Sequence, residues 1–159
     1  MYLLMKRIIT LLLLVISILG MAAQSPAANP VRWRTIIKTT GADSGIVTFK
    51  ALVAQGWHLY GLDLPENGPK PTVFDFDGSV DIKFTGKLTP SRSAIESDDK
   101  MFGMTLSWWD SNVEFSIPFK VTGSSPKLHC TIYYMTCDGS TCLPPAQESI
   151  ATPIKLNNK

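Results

Sequence analysis

The chain has 159 residues, 45% hydrophobic and 18% charged, with 15 lysines and arginines, 13 aspartates and glutamates and three cysteines. That length carries one domain with a core of its own. Lys6 and Arg7 fall in a leader without acids, so the remaining 13 bases meet 13 acids, and this balance excludes nucleic acid and an anionic membrane surface as electrostatic partners.

Lys6-Arg7 make a short basic start, and Ile8 to Leu19 is an apolar run of signal-peptide length, too short to span a bilayer comfortably. Met21-Ala22-Ala23 offers small residues for cleavage. Residues 1–23 are therefore expected to be a signal peptide cut near Ala23, with no stable membrane insertion afterwards; an uncleaved anchor is the competing reading. No cysteine stands at the junction, so no lipoprotein anchor is expected. An exported chain meets an oxidising compartment, where cysteines read as disulfide-bonded or redox-active. Three is an odd number, so one is free or pairs with another chain.

Gln24 to Pro30 reads as a flexible lead-in, with the folded domain over 31–159. Val31, Trp33, Thr35 and Ile37 alternate with Arg32, Arg34 and Lys38, the period of a half-buried strand. Gly41 to Gly45 makes a turn, and Ile46 to Val53 follows with Val47, Phe49, Ala51 and Val53 as its apolar face. After Gln55-Gly56 comes Trp57-His58-Leu59-Tyr60. Leu64 to Pro71 is a loop by its prolines and glycine. Thr72 to Phe76 and Val80 to Thr85 read as strands.

Leu88 to Lys100 is polar without a clear period and reads as a mobile loop ending at Met101-Phe102-Gly103-Met104. Thr105 to Trp109 and Val113 to Val121 look like a hairpin turning at Asp110-Ser111-Asn112, with Pro118 marking the second as an edge or bulged strand. Leu128 to Met135 is a strand delivering Cys137, and Leu143 to Leu156 closes the chain with Ile150 and Ile154 inward. No segment sustains a 3.6 period. Eight or nine short strands with frequent turns predict an all-β, two-sheet sandwich. The Cys…Trp…Cys spacing of antibody domains is absent, so an immunoglobulin likeness would be one of architecture.

Chemistry concentrates at Cys137-Asp138-Gly139-Ser140-Thr141-Cys142-Leu143-Pro144-Pro145. Asp138-Gly139 is a tight-turn signal, since glycine accepts positive φ, and cysteines opposed across such a hairpin come within disulfide reach. Such a bridge is either a staple or a reagent. As a staple it closes a loop worth only about 2 kcal/mol on the chain-entropy account; at an exposed tip it is placed for exchange. Four intervening residues depart from the thioredoxin C-x-x-C arrangement, and Asp138 disfavours a thiolate at Cys137, so no strongly acidic thiol is expected.

The other candidates read blandly. Cys130 shares an apolar face with Leu128, Ile132 and Tyr134, the setting of a buried, inert thiol. His129 falls on the opposite, solvated face. Two histidines, two cysteines and Met101, Met104 and Met135 make a donor set for Cu(I), a soft ion that accepts thiolate and thioether, but no spacing is diagnostic, and no metal or organic cofactor is expected. Trp108-Trp109, Phe115 and Phe119 read as core and sheet-face residues, and Asp98-Asp99 as a solvated pair.

Taken together, Gly56-Trp57-His58-Leu59-Tyr60, Gly68-Pro69-Lys70-Pro71-Thr72 and Cys137 to Pro145 resemble the periplasmic N-terminal domain of the thiol:disulfide interchange protein DsbD, over about Val31 to Leu156. The resemblance implies an immunoglobulin-like sandwich with its redox cysteines on a hairpin at one edge, fed with electrons by a thioredoxin-like domain and reducing periplasmic disulfide-bearing proteins, such as disulfide isomerases and cytochrome c maturation thioredoxins. It implies that Cys142 forms the mixed disulfide with partners and Cys137 resolves it. Tyr60 and His58 match positions lining the redox pair. Asp99-Lys100-Met101-Phe102-Gly103 resembles the cap loop that shields the cysteines. Met101 stands where that cap commonly has an aromatic residue, and Phe102 is the candidate replacement; Cys130 is extra to the pattern. The chain ends at Lys159 without a transmembrane or thioredoxin-like domain, so a separate protein is the expected electron donor.

Two functions follow. One is an exported thiol:disulfide oxidoreductase module relaying electrons through Cys137 and Cys142. The other is a non-catalytic exported binding module whose disulfide is a staple.

Overall fold

The computed structural model describes residues 29–156. The signal-peptide reading of 1–23 lies outside them, as do 24–28 and 157–159. Among the described residues there is no helix, and none therefore long and apolar enough to cross a membrane.

Strands β1 (Val31–Thr39) and β2 (Ser44–Val53) form the antiparallel pair that their alternation predicts, with Thr35 opposite Phe49. Val47, Phe49 and Ala51 are buried, while Arg32, Arg34 and Lys38 face solvent. β2 then pairs with β9 (Val113–Val121). Along the far side of β9 lie two short strands, β5 (Ile82–Phe84) and β6 (Thr89–Pro90).

The facing layer has two parts. In one, β10 (Lys127–Tyr134) runs between β12 (Ala146–Pro153) and β4 (Val73–Asp75). The other is a four-stranded antiparallel sheet in the order β11 (Thr136–Cys137), β3 (His58–Tyr60), β8 (Met104–Trp109) and β7 (Ile95–Asp99). Only Met135 separates β10 from β11. Its carbonyl accepts the Tyr60 N–H at 3.3 Å, so one run of chain passes from the first part to the second.

Aromatic side chains join the layers. Trp33 on β1 meets Phe74 on β4 at 5.7 Å and Tyr134 on β10 at 5.6 Å between ring centroids, and Phe74 meets Phe115 on β9 at 5.1 Å. The fold is an immunoglobulin-like β-sandwich, held by non-directional apolar burial and by edge-on and tilted ring contacts.

Four local expectations change. β8 and β9 are not a hairpin: they belong to different layers, and Asp110–Asn112 carries the chain across, because Trp109 and Val113 enter the shared core from opposite sides. β9 is not an edge strand despite Pro118. The Pro118 carbonyl accepts the Thr85 N–H at 3.0 Å, so its nitrogen faces the same side, in the gap between β5 and β6 where no ladder partner needs a donor. The polar run 88–100 is not all loop, since β6 and β7 lie in it. Ile95–Asp99 is an edge strand paired on one side through its backbone, which demands little hydrophobic patterning. The last strand starts at Ala146 rather than Leu143, after Pro144-Pro145; Ile154 is buried and Ile150 packs against the same core.

Candidate functional site

The site is one face of the β11-β3-β8-β7 sheet. Antiparallel register sets Cys137 opposite His58, Tyr60 opposite Trp108, and Asp99 opposite Met104. Because side chains alternate, Leu59 and Trp109 enter the main core, while Tyr60, Leu106 and Cys137 form a second buried cluster on the other face. Phe102, Met104, Trp108 and Cys142 pack around it, half-buried.

Cys137 and Cys142 are disulfide-bonded, with Cα atoms 4.1 Å apart. Cys137 is completely buried, whereas Cys142 is partly exposed. The turn between them is built on Asp138. Its Oδ1 accepts the N–H of Ser140 at 2.9 Å, the N–H of Thr141 at 2.7 Å and the Ser140 hydroxyl at 2.9 Å. These donors hold the Asp138 carboxyl below its ordinary pKa. Gly139 takes φ +86, as the turn signal predicts. Downstream, the Leu143 N–H reaches the Thr136 carbonyl at 3.0 Å, so the hairpin closes on both sides of the bridge.

The 99–103 segment is a tight turn organised by Asp99, which is buried rather than solvated; its neighbour Asp98 remains exposed and accepts the Thr105 hydroxyl. Asp99 Oδ1 accepts the N–H of Met101 at 2.8 Å and of Phe102 at 3.1 Å, and the Asp99 carbonyl accepts the N–H of Gly103 at 2.8 Å. Asp99 Oδ2 takes the Tyr60 hydroxyl proton at 2.9 Å. Burial, and then this hydrogen bond, push the Tyr60 pKa well above 10, so the phenol keeps its proton. Phe102 packs edge-on against Tyr60 at 6.0 Å and belongs to the cluster containing Cys142. Met101 is 49% exposed.

His58 lies between Tyr60 and Trp108, with ring centroids at 4.9 and 5.2 Å. Its Nε2 is buried and has no hydrogen-bond partner. Burial lowers the imidazole pKa below 6.5, against the opposing pull of Asp99, Asp138 and Asp110.

The structure thus gathers Cys137, Cys142, His58, Tyr60, Asp99 and Phe102 in one place and leaves Met101 outside the cluster. Sequence reasoning read Trp108 and Trp109 together as core and sheet-face residues without bringing Trp108 to the site, and passed over Leu106. The alternation Met104-x-Leu106-x-Trp108 was the available signal. Cys130 stands apart, wholly buried in the main core, its thiol pushed up to about 12 by burial and then by the charge of Asp75. Among the described residues no three His, Cys, Asp or Glu side chains form a metal-binding group.

What this arrangement can do chemically is thiol–disulfide exchange: a bridge joins a fully buried cysteine to a partly exposed one, with the hydrogen-bonded 99–103 turn packed on the same cluster. Comparison with known proteins agrees. A family model described as "Thiol:disulfide interchange protein DsbD, N-terminal" matches residues 30–154. The N-terminal periplasmic domain of ScsB from Proteus mirabilis superposes with a TM-score of 0.58 at 19% identity, covering 80% of this chain and 48% of that one, so the chain spans about half the length of that relative. The Neisseria meningitidis DsbD N-terminal domain in its reduced form superposes with a TM-score of 0.53 at 18% identity, covering 82% of this chain and 90% of that one. No curated protein sequence matches the chain.

Proposed function

The chain belongs to the DsbD N-terminal family of thiol:disulfide interchange domains, and from that premise we propose that it is an exported protein-disulfide reductase module working in the periplasm. A thioredoxin-like donor reduces the Cys137–Cys142 bridge. The reduced domain then passes the two electrons to periplasmic proteins bearing disulfides, such as disulfide isomerases and cytochrome c maturation thioredoxins.

In this reading the Cys142 thiolate attacks a partner disulfide and forms a mixed disulfide. Cys137 attacks Cys142 and releases the partner reduced. The observation carrying these roles is the difference in burial: Cys137 is fully buried, whereas Cys142 is partly exposed at the hairpin. Only an exposed sulfur is reached by another protein, and only a sulfur already beside it can resolve the product quickly. The Asp99–Gly103 turn acts as the cap, with Phe102 as its shielding side chain; Tyr60 and His58 line the site beneath it.

A redox titration in graded thiol buffers, with alkylation read by mass, tests this. Cys137 and Cys142 should convert together at a potential accessible to thioredoxin-like donors. A bridge that stays oxidised below about −300 mV while the fold persists is a staple, and returns the domain to the binding-module reading.

A further inference from the structure

On the relay reading above, we propose that His58 carries the proton of the exchange, taking it from the Cys137 thiol as that sulfur closes on Cys142 and passing it to the sulfur that leaves.

Placement comes first. Cys137 and His58 are directly opposed across the β11–β3 pair. Side chains so opposed share a face, with Cβ atoms about 5 Å apart. The imidazole is held between the rings of Tyr60 and Trp108.

The second observation is the orphan nitrogen. His58 Nε2 is buried and unpartnered in the oxidised protein. A buried polar atom without a partner calls for a reason, and a histidine serving only as a packing ring would be better replaced by phenylalanine. Reduction supplies the reason: disulfide sulfurs carry no proton, and a Cys137 S–H would appear on the residue facing His58.

The neighbouring groups leave His58 as the available base. On β3, Tyr60 keeps its proton and donates to Asp99. On β7, Asp99 is engaged by that hydroxyl and by two backbone N–H groups. In the hairpin, Asp138 Oδ1 accepts from Ser140 and Thr141, and these donors lower the carboxyl's pKa and weaken it as a base. Asp110, beyond β8, adds only a more distant charge. Burial keeps the imidazole neutral at pH 7 and so able to accept.

The step balances. In the mixed disulfide, Cys142 Sγ is bonded to the partner sulfur and Cys137 is a thiol. His58 takes the Cys137 proton, and the thiolate attacks Cys142 Sγ. The Cys137–Cys142 bond forms, the Cys142–partner bond breaks, and its electron pair leaves on the partner sulfur, which receives the proton. Reduction of the bridge by a donor runs the same transfer backwards.

The test uses glutathione disulfide as the probe. The reduced protein is mixed with it and quenched in acid at intervals, and mass spectrometry resolves the reduced, glutathionylated and oxidised forms. His58→Phe preserves ring packing, and His58→Gln preserves polarity. Both should form the Cys142 mixed disulfide within about twofold of the unaltered rate, yet resolve it at least about 10-fold more slowly at pH 7. The defect should shrink towards pH 9.5, where solvent deprotonates the thiol unaided. Unaltered resolution in either variant, or a slowing independent of pH, overturns the proposal while leaving the relay intact. If the unaltered protein never forms the mixed disulfide, the relay reading falls and this inference falls with it.

Discussion

The Tyr60 hydroxyl donates to Asp99 Oδ2 at 2.9 Å, tying the centre of the site sheet to its edge strand between two buried side chains. The other oxygen of the same carboxylate holds the Met101 and Phe102 N–H groups. Asp99→Ala leaves all three donors unmatched and should cost about 3 kcal/mol, against about 1.5 kcal/mol for Tyr60→Phe. Because the two share one bond, the double variant should fall short of the sum by about 1 kcal/mol. Urea unfolding of the four proteins measures this; strict additivity would show the bond to be energetically idle.

That carboxylate also holds the backbone N–H of Phe102, whose ring packs on the same buried cluster as Cys142. Loosening it should expose the bridge. In Asp99→Ala, reduction of the disulfide by a small phosphine should accelerate several-fold relative to the unaltered protein, followed by alkylation. An unchanged rate would mean that Phe102 does not shield the sulfurs.

The two cysteines should fail differently. Cys142→Ala should abolish exchange with a protein disulfide. Cys137→Ala should instead trap a mixed disulfide, visible as an added mass that thiol reductant removes. Exchange persisting in Cys142→Ala, or trapping through Cys137 in that variant, would reverse the assigned roles.

Gly139 takes φ +86, and beyond its own chain neighbours no heavy atom lies within 4 Å of where a Cβ would stand. The cost of Gly139→Ala is therefore backbone strain alone, about 1–2 kcal/mol, read as a lower urea midpoint of the oxidised protein. A neutral result would mean that the turn relaxes to another conformation.

Burial raises the Cys130 thiol from 9.0 to about 12. A raised pKa favours the protonated form in the folded state, so its stabilisation is complete below pH 9 and drains away as pH rises towards 12. Tyr60, raised from 10, acts with the same sign at higher pH. Stability should therefore decline above pH 9. Cys130→Ala should start about 1 kcal/mol lower at pH 8, from the cavity, and decline less steeply between pH 9 and 11. Parallel curves would show that the thiol does not titrate in this range on unfolding.

Much of the site was legible because its parts are local. The Asp138-Gly139 turn with cysteines on either side needs only neighbouring residues to form, and it forms as expected. The family likeness of the segments around Tyr60 and Cys142 placed both near one site before any contact was visible. Asp99 was harder. As residues alone, Asp98-Asp99 looks like a solvated pair, and only pairing with β8 shows that one points out to Thr105 and the other in to Tyr60.

By itself the sequence determined the strands with a buried face, the Asp138-Gly139 turn and the all-β class, because alternation and turn chemistry act within a few residues and need no knowledge of the rest of the chain. The tertiary structure decided which strands are neighbours. It placed β8 and β9 in different layers, put Pro118 in a gap where its missing N–H costs nothing, made an edge strand of polar Ile95–Asp99, and set His58 opposite Cys137. Those pairings join residues far apart in the chain through backbone hydrogen bonds that every residue except proline can donate, so side-chain pattern alone does not encode them.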